Sequence, residues 1–153
     1  MNLLVAIDFS ETTGEIVTHA CTLADALRAK VFLLHVIAPA TPVLDMENSI
    51  EPLMPAQEQP ASQEGILPES RAREQLLEIA ETLKTRGIEV SAHIAHSDEV
   101  KAIIEAAERF RAGMIILGSH GHGALYHLLI GSVSEGVVRR AQCPVVIVPA
   151  GKK

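Results

Sequence analysis

The sequence predicts an α/β protein with an open, doubly wound parallel sheet and helices on both faces. Short runs rich in Val, Ile and Leu alternate along the chain with amphipathic helical patterns. Apolar residues make up 48% of the 153 residues and aromatic residues only 3%, which is typical of strands buried on both faces. Because parallel strands joined through helices have right-handed crossovers, this alternation leads to a doubly wound sheet.

The N-terminal part of the chain predicts a strand, a helix and a second strand. Residues 2–7 and 30–37 are nearly continuous apolar runs with the length of a buried strand. Between them, apolar residues from Ile16 to Leu27 recur with helical spacing. Thr12 and Glu15 have the spacing of a capping box, so we expect Thr12 to cap this helix.

A long Pro-rich connection follows the second strand. Six of the eight prolines lie between residues 38 and 68, among acidic and amide residues. Connections of this length inside a compact domain are usually functional flaps or disordered excursions. We therefore predict a flexible insertion at about 38–68, and both plain disorder and a lid or partner surface stay open as its role.

The remainder of the chain predicts three helices and three strands. Gly87 is placed to end the first of these helices, and Pro144 stops the third. Ser97 supplies a cap, and Asp98 and Glu99 supply two carboxylates, at the start of the second. The helices are expected at 69–86, 99–110 and about 133–140, and the strands at 88–95, 114–117 and 145–148.

The loop between the fourth predicted strand and the last helix is rich in glycine. Glycines at 118, 121, 123 and 131 carry no Cβ, so the backbone can approach a ligand closely. Together with the N–H groups at the start of the following helix, such a loop favours an anion, most naturally phosphate. Asp8 ends the first strand, which flanks the same crevice, where its carboxylate suits ribose hydroxyls or a bound cation.

Charge and hydropathy exclude several classes of partner. The net charge of −6 argues against nucleic acid or an anionic membrane surface held by bulk charge. No apolar run approaches the roughly 20 residues that span a bilayer, and the N-terminus has no basic leader. We expect a cytoplasmic protein without membrane insertion, whose two cysteines are reduced.

Motifs spread over the chain resemble the universal stress protein family. Gly118-x-x-Gly121, nine further residues and Gly131-Ser132 match the family's nucleotide signature. The similarity extends to the segments 5–10, 34–36, 128–134 and 143–148 and covers the chain outside residues 38–68. The intact signature indicates the ATP-binding subgroup.

This resemblance implies a single domain over residues 1–150 with a Rossmann-like, adenine-nucleotide alpha-hydrolase-like fold and five parallel strands in the order 3-2-1-4-5. It implies binding of ATP or AMP, with Mg²⁺ or Mn²⁺ as a candidate companion of the phosphates, and a homodimer built through Val145–Val148. The nucleotide-binding residues it implies are Ala6, Asp8 and Val36 around adenine and ribose, and Leu117, Gly118, Gly121, Gly131, Ser132, Val133 and Ser134 around ribose and phosphates.

His120 and His122 stand in the loop where the family often has basic residues. Since histidine has a pKa of about 6.5, we expect phosphate affinity to rise as the pH falls toward about 6. A metal site formed by His120, His122 and His127 is a weaker hypothesis, because no carboxylate or cysteine completes the ligand set.

The leading functional hypothesis is a stress-response regulatory protein in which ATP or AMP controls a dimeric switch that docks to an unidentified protein partner. The alternative is a slow, divalent-cation-dependent ATP hydrolase or phosphoryl-transfer enzyme. No Walker lysine, arginine finger or water-orienting base is evident, so no catalytic residue is assigned. A nucleotide-free interaction module is a third alternative.

The site residues also have purely structural readings. Asp8 is a residue type common at strand ends and turns. Ser132 and Glu135 have capping-box spacing, and Arg139 with Arg140 suits the negative end of a helix dipole.

Overall fold

A computed structural model describes residues 1–39, 50–52, 66–119 and 130–151. Strands and helices alternate along the described residues, as predicted. In chain order they are β1 (Asn2–Ala6), α1 (Thr13–Leu27), β2 (Lys30–Ile37), β3 (Ile50–Pro52), α2 (Ile66–Thr85), β4 (Val90–His96), α3 (Glu99–Arg109), β5 (Met114–Gly118), α4 (Ser132–Arg140) and β6 (Val145–Val148).

The described strands form one sheet in the order β3-β4-β2-β1-β5-β6. All pairings except that of β3 are parallel. Counting the parallel strands alone, their order is third, second, first, fourth and fifth, so the predicted order 3-2-1-4-5 is confirmed. β1 lies at the centre, where Val5 pairs with Leu33 on β2 and with Ile116 on β5.

One strand of the sheet, β3, was not predicted. It runs antiparallel to the edge of β4, with Ile50 opposite Ala95 and Pro52 opposite His93. Proline lacks a backbone N–H, which suits it to an edge strand. This strand lies inside the predicted insertion at 38–68. Because residues 40–49 and 53–65 lie outside the described residues, the flexibility of that insertion stays a prediction.

Two helix boundaries differ from the sequence patterns. α2 begins at Ile66 rather than at 69, because Pro68 falls in the first turn, where a backbone N–H has no partner within the helix. The predicted Thr12 cap is wrong: Thr12 has helical dihedral angles and its side chain makes no capping hydrogen bond. Its hydroxyl lies 3.1 Å from the Ser10 hydroxyl instead.

Two other boundary predictions are confirmed. Gly87, with a φ of +80°, follows α2, and its N–H donates to the Lys84 carbonyl at 2.8 Å. α3 begins at Glu99 as predicted, but its cap is Asp98 rather than Ser97, since Asp98 Oδ1 accepts from the Lys101 N–H at 3.0 Å.

The core has one layer on each face of the sheet. Leu3 and Val5 of β1 pack with α1 and α2, whereas Leu4 of the same strand packs with α3 and α4. This alternation follows from the side-chain period of two along a strand. Among the described residues, no helix has both the length and the apolar character needed to cross a membrane.

Candidate functional site

The candidate site lies where the strand order reverses. The chain passes from β1 to β2 on one side and returns to β5 on the other side of β1. The carboxyl ends of β1 and β5 therefore flank one crevice, the usual ligand position in such sheets. Ala6 ends β1, Gly118 ends β5 and Val36 lies near the end of β2, so the sheet gathers three predicted site residues at this edge.

Asp8 shapes the turn that connects β1 to α1. Its Oδ1 accepts a hydrogen bond from the Ser10 N–H at 2.9 Å. Between them, Phe9 has a φ of 57°, a left-handed conformation that is uncommon for a bulky residue. Asp8 therefore has the structural role of stabilising this turn. Asp8 is also half-buried and lies at the crevice.

His35, near the end of β2, also lies at this edge of the sheet. Its Nδ1 lies 2.7 Å from the Ile7 carbonyl oxygen. Since a carbonyl only accepts, Nδ1 carries the proton. The imidazole also contacts the Phe9 ring, with 4.7 Å between centroids.

Glu99, the first residue of α3, joins the same edge. Partial burial raises the pKa of the Glu99 carboxyl, Asp8 and Asp98 raise it further, and His35 lowers it. From the sequence alone, Glu99 has only the role of a helix-start carboxylate. In the structure, Asp8 and His35 are near enough to change the pKa of its carboxyl.

Hydrogen bonds close the base of the glycine loop. The Gly131 N–H donates to the Ser119 carbonyl at 2.6 Å. The Ser134 hydroxyl donates to the Gly118 carbonyl at 2.6 Å, and Ser134 is only 3% exposed. Both predicted glycines, 118 and 131, are therefore held at one place although twelve residues separate them in the sequence.

The start of α4 suits an anion. The cap is Gly131, which has no side-chain acceptor to offer the N–H groups of the first turn. The Ser132–Glu135 capping box is therefore wrong. Ser132 is the first helical residue and is exposed, while the Glu135 carboxylate binds Arg139 at 2.7 Å. An anion at this glycine-capped start would meet both backbone N–H groups and the positive end of the helix dipole.

The residues predicted to bind phosphate differ in how far they are exposed to solvent. Leu117 is only 4% exposed and packs in the core, so any ligand contact there involves its backbone. Val133 is half-buried and Ser134 is buried. His120, Gly121, His122 and His127 lie outside the described residues, and their roles stay predictions.

Two further features lie apart from the crevice. A cavity of about 190 Å³ near the C-terminal ends of α3 and α4 is lined by Arg111, Arg140 and Cys143 among others. It lies toward the amino ends of β5 and β6. Burial raises the pKa of the Cys143 thiol, which keeps it protonated near neutral pH. Within the described ranges, no three or more His, Cys, Asp or Glu side chains are arranged to hold a metal ion.

Comparison with known proteins identifies the family. The sequence model of the universal stress protein family matches residues 1–149. The chain belongs to this family. A universal stress protein of Methanocaldococcus jannaschii is 27% identical over 152 residues, covering 99% of this chain and 83% of the relative. A universal stress protein A homologue of Coxiella burnetii is 31% identical over 150 residues, covering 96% and 94%.

Solved universal stress proteins share the fold. One, in complex with cAMP, superposes with a TM-score of 0.67 at 22% identity, covering 99% of this chain and 98% of the other. Another, from Archaeoglobus fulgidus in complex with dAMP, has a TM-score of 0.65 at 18% identity and covers 96% of both chains. At these identities the comparison supports the architecture of this universal stress protein, with its crevice at the sheet edge.

Proposed function

We propose that this universal stress protein binds an adenine nucleotide, ATP or AMP, in the crevice at the carboxyl ends of β1, β2 and β5. The observation that carries the proposal is the closed base of the glycine loop beside the glycine-capped start of α4. Related proteins of the same fold, solved with cAMP and dAMP, support an adenine ligand. Occupancy then controls how a homodimer docks to a protein partner.

Each part of the crevice suits a different part of the nucleotide. The first turn of α4, from Ser132 to Ser134, faces the phosphates with backbone N–H groups. Ala6, Asp8 and Val36 lie on the strand ends that flank adenine and ribose. A carboxylate and a hydroxyl are hard oxygen ligands, so Asp8 and Ser132 fit Mg²⁺ or Mn²⁺ that is held mainly by the phosphates. The ion would neutralise phosphate charge.

Regulation by the nucleotide requires two conformations with different affinities. A ligand shifts an equilibrium only by the difference between its binding free energies to the two states. The segments that can respond are those at the crevice, including the ends of the glycine loop. The proposed dimer is built through β6, and β6 pairs with β5. The dimer surface therefore lies next to the strand that forms one side of the crevice.

The test begins with the nucleotide that copurifies. Freshly purified protein is denatured, and any released nucleotide is identified by chromatography and mass. The stripped protein is then titrated calorimetrically with ATP, ADP and AMP, with and without Mg²⁺. We expect about one nucleotide per chain.

Gly131→Val is expected to abolish this binding while the fold survives, because a branched side chain would stand where the backbone meets phosphate. Gly14→Val is the matched control, since a Cβ at Gly14 meets no atom within 4 Å. Unchanged nucleotide affinity in Gly131→Val would place the site elsewhere. A turnover assay with Mg²⁺ or Mn²⁺ decides the alternative: hydrolysis lost in Asp8→Ala would indicate an enzyme.

A further inference from the structure

Ser119 joins three segments of the chain at one point. This residue directly follows β5 and is 3% exposed. Its carbonyl accepts from the Gly131 N–H at 2.6 Å, its N–H donates to the Val148 carbonyl at 2.8 Å, and its Oγ accepts from the Ala150 N–H at 3.2 Å. The first bond reaches the start of α4, the second reaches the last residue of β6, and the third reaches the segment after β6.

The segment Val148–Gly151 therefore contacts the base of the proposed phosphate site. It also reaches α1, because a Cβ built on Gly151 would lie 2.5 Å from Glu15 Oε1. β6 is an edge strand among the described strands, and it is the strand through which the dimer is proposed. Ser119 is thus the direct hydrogen-bonded connection between Gly131 and the end of that edge strand.

We propose that Ser119 is a positioning residue that couples nucleotide occupancy at the start of α4 to the segment Val148–Gly151. This inference rests on the proposed function. A nucleotide on the first turn of α4 holds Gly131 in place, which maintains the Gly131–Ser119 bond and with it the Ser119–Ala150 bond. The coupling between the two events is reciprocal. If bound nucleotide stabilises the Ser119–Ala150 bond by a given factor, loss of that bond weakens nucleotide binding by the same factor.

The side chain and the backbone of Ser119 have separable roles. Ser119→Ala removes the acceptor for Ala150 and keeps the N–H and carbonyl of residue 119, which bond Val148 and Gly131. Ala150→Pro removes the donor of the same bond. The pair permits a double-mutant cycle on one hydrogen bond between a loop and a terminal segment.

The experiment compares amide hydrogen exchange of Val148, Ala150 and Gly151 with ATP affinity in the full chain. Ser97→Ala is the matched control, because Ser97 is also a buried serine that directly follows a parallel strand, β4, far from β6. In the wild type we expect saturating ATP to slow exchange at Ala150. In Ser119→Ala we expect exchange at Ala150 to rise about tenfold without ATP, ATP affinity to fall by a similar factor, and saturating ATP to give no protection there.

Several outcomes separate this inference from the proposed function. If the wild type binds no ATP, the proposed function fails and the coupling fails with it. If the wild type binds ATP, unchanged affinity and unchanged Ala150 protection in Ser119→Ala would overturn the coupling alone. Equal losses in Ser119→Ala and Ser97→Ala would show general destabilisation and also overturn it. The double variant with Ala150→Pro should bind ATP no more weakly than either single variant; additive losses would contradict a shared bond.

Discussion

At the scale of single residues, the crevice brings Glu99, Asp8 and His35 close enough to affect the pKa of the Glu99 carboxyl. Glu99 is half-buried near the carboxylates of Asp8 and Asp98, and the pKa of its carboxyl is raised mainly by burial. The His35 ring opposes that shift while its Nδ1–H is held by the Ile7 carbonyl. An ionised Glu99 is therefore less favourable in the folded protein than in the unfolded chain.

The stability of Glu99→Gln should depend on pH in a definite direction. Because the folded-state pKa of Glu99 is raised, its stabilising contribution is present when it is protonated and is lost as the pH rises through that pKa. The change in Tm on replacing Glu99 with Gln should thus be more favourable at about pH 7 than at about pH 4. Thermal unfolding across this range measures it.

Glu78→Gln, on the exposed face of α2, is the control for removing a carboxylate. It should show a smaller dependence on pH than Glu99→Gln. A change in Tm for Glu99→Gln that is constant over the range, or that declines as the pH rises, would contradict the assigned environment of Glu99.

At the scale of elements, the position of α4 depends on its close packing against α3. A Cβ at Gly136 would lie 2.7 Å from Val100 Cγ2 and 3.3 Å from its Cγ1. Valine is stiff at χ1, so it cannot simply turn away. Glycine at this position lets α4 lie against α3, and α4 carries the proposed phosphate site at its first turn.

Gly136→Ala should destabilise the protein although alanine is the better helix former. The helix gains about 1 kcal/mol from the substitution, but overpacking against Val100 costs about 1–3 kcal/mol. Urea unfolding should show a lower free energy of unfolding with an unchanged m-value.

Val100→Ala supplies the matched background, because it removes the methyl groups that the new Cβ would meet. In that background Gly136→Ala should be neutral or stabilising. If Gly136→Ala stabilised the protein with Val100 present, the close packing of α3 and α4 at this point would be refuted.

At the scale of the whole molecule, the two edges of the sheet differ. β3 pairs with β4 at one edge, whereas β6 forms the other edge among the described strands. The carbonyls of Pro144 and Val148 accept from Ile115 and Ser119. Since backbone groups alternate in direction along a strand, the N–H groups of Val145 and Ile147 point away from β5 and are placed to pair with a second copy.

Val145→Pro should weaken the proposed dimer. The substitution removes an outward N–H, and a symmetric interface loses that donor twice. We expect the dimer dissociation constant to rise about tenfold or more, as measured by sedimentation velocity over a dilution series.

Val145→Ala loses most of the same side chain but keeps the N–H, so it should remain dimeric. Equal dissociation constants for the proline and alanine variants would show that backbone pairing of β6 does not hold the dimer. A wild type that stays monomeric at the highest concentration would refute the dimer itself.

Local patterns in the sequence were sufficient for the four helices and the five parallel strands among the described residues, and for several of their ends. β6 is a continuous apolar run and β2 a nearly continuous one, and Gly87 and Asp98 act on neighbours within a few residues. The order of the parallel strands followed from the family resemblance and is confirmed. Gly118 lies at the end of β5 as predicted, whereas β1 ends at Ala6 and Asp8 lies in the turn that follows. Both lie at or just after the carboxyl ends of neighbouring parallel strands, which lie at one edge of the sheet.

What the sequence by itself determined is the alternation of strands and helices, since each pattern repeats over many residues of one segment. The tertiary structure alone decided the pairing of β3 with β4, the bond from His35 to Ile7 and the bonds from Ser119 to Gly131, Val148 and Ala150. It also decided that Gly131, and not Ser132, caps α4. Apart from the cap of α4, each of these contacts joins residues that are far apart in the chain. The cap itself depends on the bond that holds Gly131 to Ser119. Periodicity and propensity describe only near neighbours, so they carry no information about such contacts.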